Sequence, residues 1–260
     1  MDYRNIIYEV KDKVGYLTVN RPKRLNALNV EALQEIGDAL AGAKSDEQVR
    51  VIVLTGAGDK AFVAGADITE FEGVGLKEGY DFARRGQKLT QDLEGLGKPS
   101  IAAVNGLALG GGCELALACT FRILSETAKM GLPELGLGVI PGYGGTQRLS
   151  RVIGKSRALW AMMTGDMIGA QEALQIGLAN MVVKPEELMD ATAKVANKIV
   201  GKAPLAVKMA LIAVNQGVEN DLETGLVLEA AFGNLLLVSE DKEEGVRAFM
   251  EKRKPNFTGK

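Results

Sequence analysis

A run of three glycines directly before a carboxylate is the feature of this sequence most suited to chemistry. In "NGLALGGGCELALA", glycines fill positions 110–112, and Glu114 lies in the first turn of an alanine- and leucine-rich helix. Glycine costs about 1 kcal/mol relative to alanine inside a helix, so the run needs an offsetting benefit. Because the first N–H groups of a helix have no partner within it, glycines leave them open to a ligand oxygen. The pattern predicts one half of an oxyanion hole.

A small-residue loop and a second acid could complete the site. The segment "AGAD", residues 64–67, follows a buried strand and could supply further backbone donors, each worth roughly 3–4 kcal/mol to an oxyanion. Glu134 follows Pro133 in a stretch poor in charge, where apolar surroundings raise a carboxyl pKa toward the range of proton exchange. Two acids beside an oxyanion hole indicate acid–base chemistry next to a carbonyl group. Two structural alternatives stay open: Glu114 as a partner of the helix dipole, and Glu134 as an exposed loop charge.

The 260 residues include no histidine and only two cysteines. The missing histidine excludes Ser-His-Asp and Cys-His nucleophilic catalysis, as well as a histidine general base. Cys113 and Cys119 stand six residues apart without companion ligands, so we expect buried thiols of a reducing compartment rather than a zinc site.

Charge and hydropathy limit the partners. The net charge of -2 argues against general nucleic-acid binding, which needs a basic field. No apolar run approaches the ~20 residues of a membrane span, and the first residues lack a signal pattern. We therefore expect a cytoplasmic protein, or the mature matrix form of an organellar one, without a membrane partner.

Hydrophobic patterns place these residues on a mixed α/β body. Around "KDK", the runs "NIIYEV" and "VGYLTVN" predict a hairpin, and Asn29 is the expected N-cap of the first helix. Further strands are predicted in "VRVIVLTG", "KPSIAAVNG", "FRILSE" and "LANMVV", with "AFVAGADITEF" as a loop. Nearly everything after Pro185 predicts helix. The expected division is an α/β core over residues 1–195 and a helical part over residues 196–260.

A dinucleotide site is the main competing motif. "GAGDKA", residues 56–61, matches the form G-x-G-x-x-A directly after a buried strand. The fingerprint requires a helix at its third position, so that phosphate lies on the helix N-terminus. Here "FVAGADI" follows and leaves no room for that helix, so a tight turn is favoured.

Taken together, the motifs closely resemble the enoyl-CoA hydratase (crotonase) family. The resemblance rests on "VAGADITEF", "KPSIAAVNGLALGGGCELALACTFRI", "MGLPELGLGVIPGYGGTQRLSRVIG" and "TGDMIGAQEALQIGLANMVV", and it extends from "NRPKRLNAL" to "AFMEKRKPNF". It implies a crotonase-like α/β spiral of ββα turns, with residues 1–195 as the catalytic core. It also implies a helical trimerisation region over residues 196–260, and assembly as a trimer or a dimer of trimers.

The same resemblance implies roles for individual residues. The backbone N–H groups of Ala66 and Gly111 hold the thioester oxygen of an acyl-CoA, Glu114 acts as general base on water, and Glu134 protonates C2. Lys252 could reach the coenzyme A phosphates from a neighbouring subunit. Further contacts with substrate or coenzyme A are implied for Lys23, Arg24, Ala64, Gly65, Asp67, Ile68, Gly110, Pro133, Gly142 and Tyr143. No metal and no separate cofactor is implied, since coenzyme A is part of the substrate.

The implied activity is reversible syn hydration of a 2-enoyl-CoA in fatty-acid or related acyl-CoA degradation. Isomerase-like relatives generally keep one of the two acids, whereas both are present here. Two residues depart from the family pattern: Tyr143 stands where a small residue is common, and Leu132 replaces a frequent glutamine. Because the "PGYGG" loop borders the acyl site in the family, these departures leave the length and shape of the acyl group open. A short acyl group such as crotonyl is the expectation. The alternatives are double-bond isomerisation or retro-aldol cleavage on the same scaffold, and a non-catalytic or RNA-binding role, which the acidic balance disfavours.

Overall fold

The strands of the protein form two sheets. The computed structural model describes residues 3–260. In spatial order, the six strands of the larger sheet are β1 (Ile6–Lys11), β2 (Val14–Val19), β3 (Val51–Gly56), β5 (Ser100–Val104), β7 (Phe121–Ser125) and β10 (Met181–Val183). Those of the smaller sheet are β4 (Ala61–Val63), β6 (Leu107–Leu109), β8 (Lys129–Gly131) and β9 (Ile168–Gly169). The predicted hairpin is confirmed, because β1 and β2 pair antiparallel.

Ten helices surround and extend the sheets in the described part of the chain. They are α1 (Val30–Ser45), α2 (Leu76–Glu94), α3 (Gly111–Ala118), α4 (Gly145–Ile153), α5 (Lys155–Thr164), α6 (Ala170–Gln175), α7 (Leu188–Val200), α8 (Pro204–Gly217), α9 (Leu222–Leu236) and α10 (Glu240–Met250). The predicted N-cap of α1 is confirmed, since Asn29 Oδ1 accepts a hydrogen bond from the Ala32 N–H at 2.9 Å. Within residues 3–260, no single helix could cross a membrane, although α9 and α10 together have the length and composition, with a 74° bend between them.

Three strand–strand–helix units build the centre of the molecule. The units are β3-β4-α2, β5-β6-α3, and β7-β8 followed by α4. In each unit the first strand joins the larger sheet and the second joins the smaller one. Successive units pair in parallel in both sheets, so each unit advances both sheets by one strand. This is the spiral that the family resemblance implies, and it brings the beginnings of α3 and α4 together.

The central strands of the larger sheet are buried on both faces, which explains the unbroken apolar sequences of β3 and β5. On β3, Ile52 and Leu54 face a core shared with α1 and α3, while Val51 and Val53 face a second core under α7. Ala196 of α7 belongs to that second core. The predicted boundary at residue 195 therefore falls within a helix that packs on the sheet. The division into two domains and the trimerisation role of residues 196–260 stay predictions.

One part of the secondary-structure prediction was wrong. "AFVAGADITEF" was expected to be a loop, but Ala61–Val63 form β4, which pairs with β6. Strands of three residues are too short to show the alternation that identifies a strand in a sequence. Their stability comes from pairing within the smaller sheet and from burial of all three β4 residues.

Candidate active site

The three glycines before α3 meet three different structural needs. Gly110 has a φ of +51°, a conformation that favours glycine, and its N–H donates to the Gly131 carbonyl of β8 at 2.9 Å. Gly112 packs so closely on β4 that a methyl group there would overlap the Val63 carbonyl oxygen. Gly111 is the first residue of α3, where the backbone N–H has no partner inside the helix. The run therefore packs α3 against β4 and leaves one N–H available.

A second N–H lies beside that of Gly111. Leu28 forms a parallel bridge with Ala66, in which the Leu28 N–H donates to the Gly65 carbonyl and the Leu28 carbonyl accepts from the Asp67 N–H. This bonding pattern turns the Ala66 N–H away from Leu28. A methyl carbon placed on Gly111 would lie 3.7 Å from the Ala66 nitrogen. The predicted pair of oxyanion donors is thus brought together in space.

Glu114 is held inside the protein by backbone groups of the loop before α4. The residue is 1% exposed, and its Oε1 accepts hydrogen bonds from the N–H groups of Tyr143 at 2.8 Å and Gly145 at 2.7 Å. A methyl carbon on Gly145 would lie only 3.0 Å from that oxygen, so the approach favours glycine. Burial raises the pKa of Glu114 to about 7, because loss of solvation outweighs the two N–H donors. The side chain is therefore suited to exchange protons near neutral pH.

Glu134 lies near the start of the same helix, α3, on the segment that follows β8. It follows β8 and begins the 3₁₀ turn Glu134–Leu137. A methyl carbon on Gly110 would lie 3.0 Å from Glu134 Oε1, which places the carboxyl over the start of α3. The other oxygen, Oε2, is buried and has no hydrogen-bond partner within residues 3–260. Burial raises the pKa of Glu134, and its charge also raises that of Glu114, so the two carboxyl groups are electrostatically coupled.

The neighbouring cysteines are unsuited to nucleophilic chemistry. Both Cys113 and Cys119 are buried free thiols. Burial raises the pKa of both thiols, that of Cys119 to about 12, so neither is a thiolate near neutral pH. Across the described residues, no group of three or more His, Cys, Asp or Glu side chains is arranged to hold a metal ion.

Comparison with known proteins identifies the family of this chain. The family profile described as "Enoyl-CoA hydratase/isomerase" matches residues 9–260. A crotonyl-CoA hydratase from Syntrophomonas wolfei is 47% identical over 260 residues, covering 100% of both chains. A short-chain-enoyl-CoA hydratase from Clostridium acetobutylicum is 49% identical over 98% of this chain and 97% of its own.

This chain belongs to the enoyl-CoA hydratase/isomerase family. A solved structure of an enoyl-CoA hydratase from Bacillus anthracis matches with a TM-score of 0.96 at 40% identity, covering 99% of this chain and 100% of the other. The predicted family and the predicted crotonase-like fold are both confirmed.

The basic residues predicted to contact coenzyme A lie at two places in the fold. Lys23 and Arg24 belong to the 3₁₀ turn Pro22–Arg24, and Lys23 borders a cavity of 270 Å³ beside the turn after β3. The neighbouring Arg21, which had no individual prediction, forms an ion pair of 3.1 Å with Asp67. Lys252 follows α10 with a φ of +54°. Whether these cations contact coenzyme A stays a prediction.

The other predicted contact residues lie in loops and 3₁₀ turns near the donor pair and Glu114. The Ala64 N–H donates to the Leu25 carbonyl, Gly65 has a φ of +102°, and Ile68 is 62% exposed. Pro133 is exposed before Glu134, and the Gly142 carbonyl accepts from Gln87 Nε2 at 2.9 Å. Gly142 therefore helps to fix the loop that holds Glu114.

The role of Gly145 as a donor to Glu114 was missed. The sequence holds a signal for it, because "GYGGTQRL" shows glycines directly before a helix, as at α3. Recognising it as the partner of Glu114 requires the fold, since the two residues are 31 positions apart. Tyr143, predicted as a substrate contact, contributes its N–H to the same carboxyl.

Proposed function

We propose that the protein is an enoyl-CoA hydratase that adds water across the 2,3 double bond of a short-chain 2-enoyl-CoA such as crotonyl-CoA. The observation that carries this proposal is the placement of a buried carboxyl group, Glu114, and a half-buried one, Glu134, around two available backbone N–H groups. The names of the two relatives that are 47% and 49% identical support both the reaction and the short chain.

The N–H groups of Ala66 and Gly111 bind the thioester oxygen in this mechanism. Water attacks C3, and negative charge moves through C2 to that oxygen, giving an enolate. Donors already oriented at the oxygen stabilise the developing charge by roughly 3–4 kcal/mol each. The bare Cα atom of Gly111 allows the thioester to approach the helix N-terminus, whose partial positive charge adds to the stabilisation.

The two glutamates move the protons. Glu114, deprotonated at the start, removes a proton from water as the C3–O bond forms. Glu134, protonated at the start, donates its proton to C2 and so completes the addition. After the addition, Glu114 is protonated by the proton from water and Glu134 is deprotonated. Before the next cycle, Glu114 must release a proton and Glu134 must regain one. With Glu114 at a pKa of about 7, a large fraction is in the basic form near neutral pH.

Hydration is favoured over isomerisation because both acids are built into the site. Moving a double bond needs no water, so one carboxyl group would suffice. Glu134 instead presents a buried oxygen that no described protein group satisfies, as expected where water or substrate binds. We further propose that coenzyme A enters as part of the substrate and that the reaction uses no separate cofactor.

Parallel assays on one preparation test this function. Hydration of crotonyl-CoA is measured as a decrease in the absorbance of the conjugated thioester. Isomerisation of 3-enoyl-CoA is measured as an increase in the same absorbance. We expect hydration with a kcat/KM in the range of about 10⁴–10⁸ M⁻¹s⁻¹ and much slower isomerisation. Faster isomerisation than hydration, or neither reaction, would overturn the proposal.

The remaining expectations concern partners and location. We propose a homo-oligomer, either a trimer or a dimer of trimers, in the cytoplasm, without nucleic-acid or membrane partners. Gel filtration with light scattering tests the assembly. A filter-binding titration at physiological salt tests the alternative RNA-binding role, for which we expect only weak, non-specific retention; tight retention would favour that alternative.

A further inference from the structure

The ring of Tyr143 is fixed between two helices of the active site. Tyr143 is 4% exposed. One edge of its ring lies against Gly86 of α2, where a methyl group would overlap the ring, and the opposite edge lies against Gly111 of α3, where a methyl carbon would be 3.0 Å from Cε2. The ring of Phe82 packs beside it, with 5.7 Å between the ring centroids. Two glycines, one on each helix, thus make room for one large side chain.

The backbone of Tyr143 is equally constrained. Its carbonyl accepts hydrogen bonds from Thr90 Oγ1 at 2.9 Å and from Arg148 Nη1 at 3.1 Å, and its N–H donates to Glu114. Because the same residue holds the general base, the backbone that carries the ring cannot move far without disturbing Glu114. The position of the Tyr143 ring is therefore fixed, and the ring cannot move aside to admit a larger group.

The proposed mechanism places the acyl chain beside this ring. In the proposed mechanism the thioester oxygen binds at the N–H groups of Ala66 and Gly111, and the Tyr143 ring packs against Gly111. The same mechanism places C3 of the substrate beside Glu114, which accepts a hydrogen bond from the Tyr143 N–H. An acyl chain that runs from C3 away from the thioester therefore begins beside residue 143.

We propose that Tyr143 is a specificity-determining residue whose ring restricts the substrate to short acyl chains. This inference rests on the proposed function. It is the volume of the ring that matters, because the phenol oxygen is buried and has no hydrogen-bond partner within residues 3–260. The alternative is that the ring only fills the core between α2 and α3, with no effect on chain length.

The test compares kcat/KM for butenoyl-, hexenoyl-, octenoyl- and decenoyl-CoA in the wild type, Tyr143→Ala and Tyr143→Phe. For Tyr143→Ala we expect the decenoyl-to-butenoyl ratio of kcat/KM to rise by at least about tenfold, since pocket volume discriminates at this level. Tyr143→Phe should keep the wild-type ratio. An unchanged ratio in folded Tyr143→Ala, or an equal rise in Tyr143→Phe, would overturn the inference.

Further variants keep the test decisive if Tyr143→Ala does not fold. Tyr143→Leu shortens the side chain but keeps an apolar contact with Phe82, and the same rise in ratio is expected. Gly86→Ala should impair the enzyme because its methyl group overlaps the ring, and Tyr143→Leu in the same chain should restore activity with the longer-chain profile. A Gly86→Ala enzyme with wild-type kinetics would contradict the tight fit.

The wild-type results separate the two proposals. If the wild type fails to hydrate butenoyl-CoA, the proposed function is wrong. If it hydrates butenoyl- and decenoyl-CoA equally well, the proposed reaction stands, but the short-chain preference and the role of Tyr143 are wrong.

Discussion

The two carboxyl groups of the site are held in very different ways. Glu114 projects from a helix inside the core, is 1% exposed and receives two backbone N–H groups on one oxygen. Glu134 stands on a single 3₁₀ turn, is partly exposed and keeps one buried oxygen without a protein partner among the described residues. Both carboxyl groups were predicted to be catalytic acids or bases in apolar surroundings. In the structure they differ in rigidity and in access to solvent.

This difference matches the two proposed tasks. A base that directs water at C3 must be fixed, because small displacements of a reacting group cost much of the rate. An acid that protonates C2 and then recovers a proton benefits from access to water. We infer that Glu114 is the positioned base and Glu134 the exchangeable acid, and the following experiments test that division.

The largest effect is expected for Glu114→Gln. Glutamine keeps the shape and can accept the same N–H groups but cannot remove a proton, so kcat for crotonyl-CoA hydration should fall by about 10³–10⁴-fold. Steady-state kinetics on the purified variant measures this. Glu126→Gln, at an exposed glutamate after β7, is the matched control and should resemble the wild type. Near-normal activity of Glu114→Gln would remove Glu114 from the mechanism.

A smaller loss is expected for Glu134→Gln. Because this carboxyl is partly exposed, water can replace part of its proton donation, and kcat should fall by about 10²–10³-fold. The loss should be in kcat more than in KM, since the donor pair that binds the thioester is unchanged. If Glu134→Gln proves more damaging than Glu114→Gln, the division into fixed base and exchangeable acid is wrong.

The enclosure of Glu114 should reduce stability at high pH. Burial raises its pKa from the ordinary 4.5 to about 7, so between these values the folded state binds more protons than the unfolded state. The free energy of unfolding therefore falls as pH rises through this window, by on the order of 3 kcal/mol in total. Glu114→Gln, which stays neutral, should raise the thermal midpoint at about pH 8 and not at about pH 4.

Thermal denaturation of the wild type and Glu114→Gln at both pH values checks this prediction. The same comparison for Glu134→Gln should give a smaller gain, because that side chain is less enclosed. Equal stabilisation at both pH values would show that packing, rather than the charge of Glu114, is responsible.

The smallest effect is expected for Thr90→Val. Thr90 Oγ1 donates to the Tyr143 carbonyl, so its loss should loosen the loop whose N–H groups hold Glu114. A hydrogen bond of this kind is worth about 1 kcal/mol, or roughly a fivefold fall in kcat/KM.

The pH profile should also shift. Because the wild-type rate should rise with pH through about 7, weaker N–H donation to Glu114 should move this rise to higher pH. Thr164→Val, at an exposed hydroxyl at the end of α5, is the control; a lower rate without a shifted pH profile would contradict a positioning role.

The sequence predicted the larger sheet better than the smaller one. β3 and β5 are unbroken apolar runs because both of their faces are buried. β4, β6 and β8 have three residues each, and their pairing depends on the spiral that stacks one unit on the next. The sequence pattern within a three-residue segment carries no information about this long-range pairing.

The site shows the same limit. The acids and the glycine run could be predicted because each has a local signal before a helix or after a strand. The N–H groups that hold Glu114 could not, since they come from residues 143 and 145 across the fold. The ion pair between Arg21 and Asp67 spans 46 positions and likewise depends on the tertiary structure.

The stereochemistry of hydration tests the central claim most directly. When crotonyl-CoA is hydrated in D₂O, NMR coupling in the 3-hydroxybutyryl product reports on which face C2 received deuterium. If Glu114 and Glu134 act from one side of the bound thioester, oxygen and deuterium should be added to the same face, giving a single syn product. Anti addition, or an equal mixture of both C2 configurations, would contradict the account.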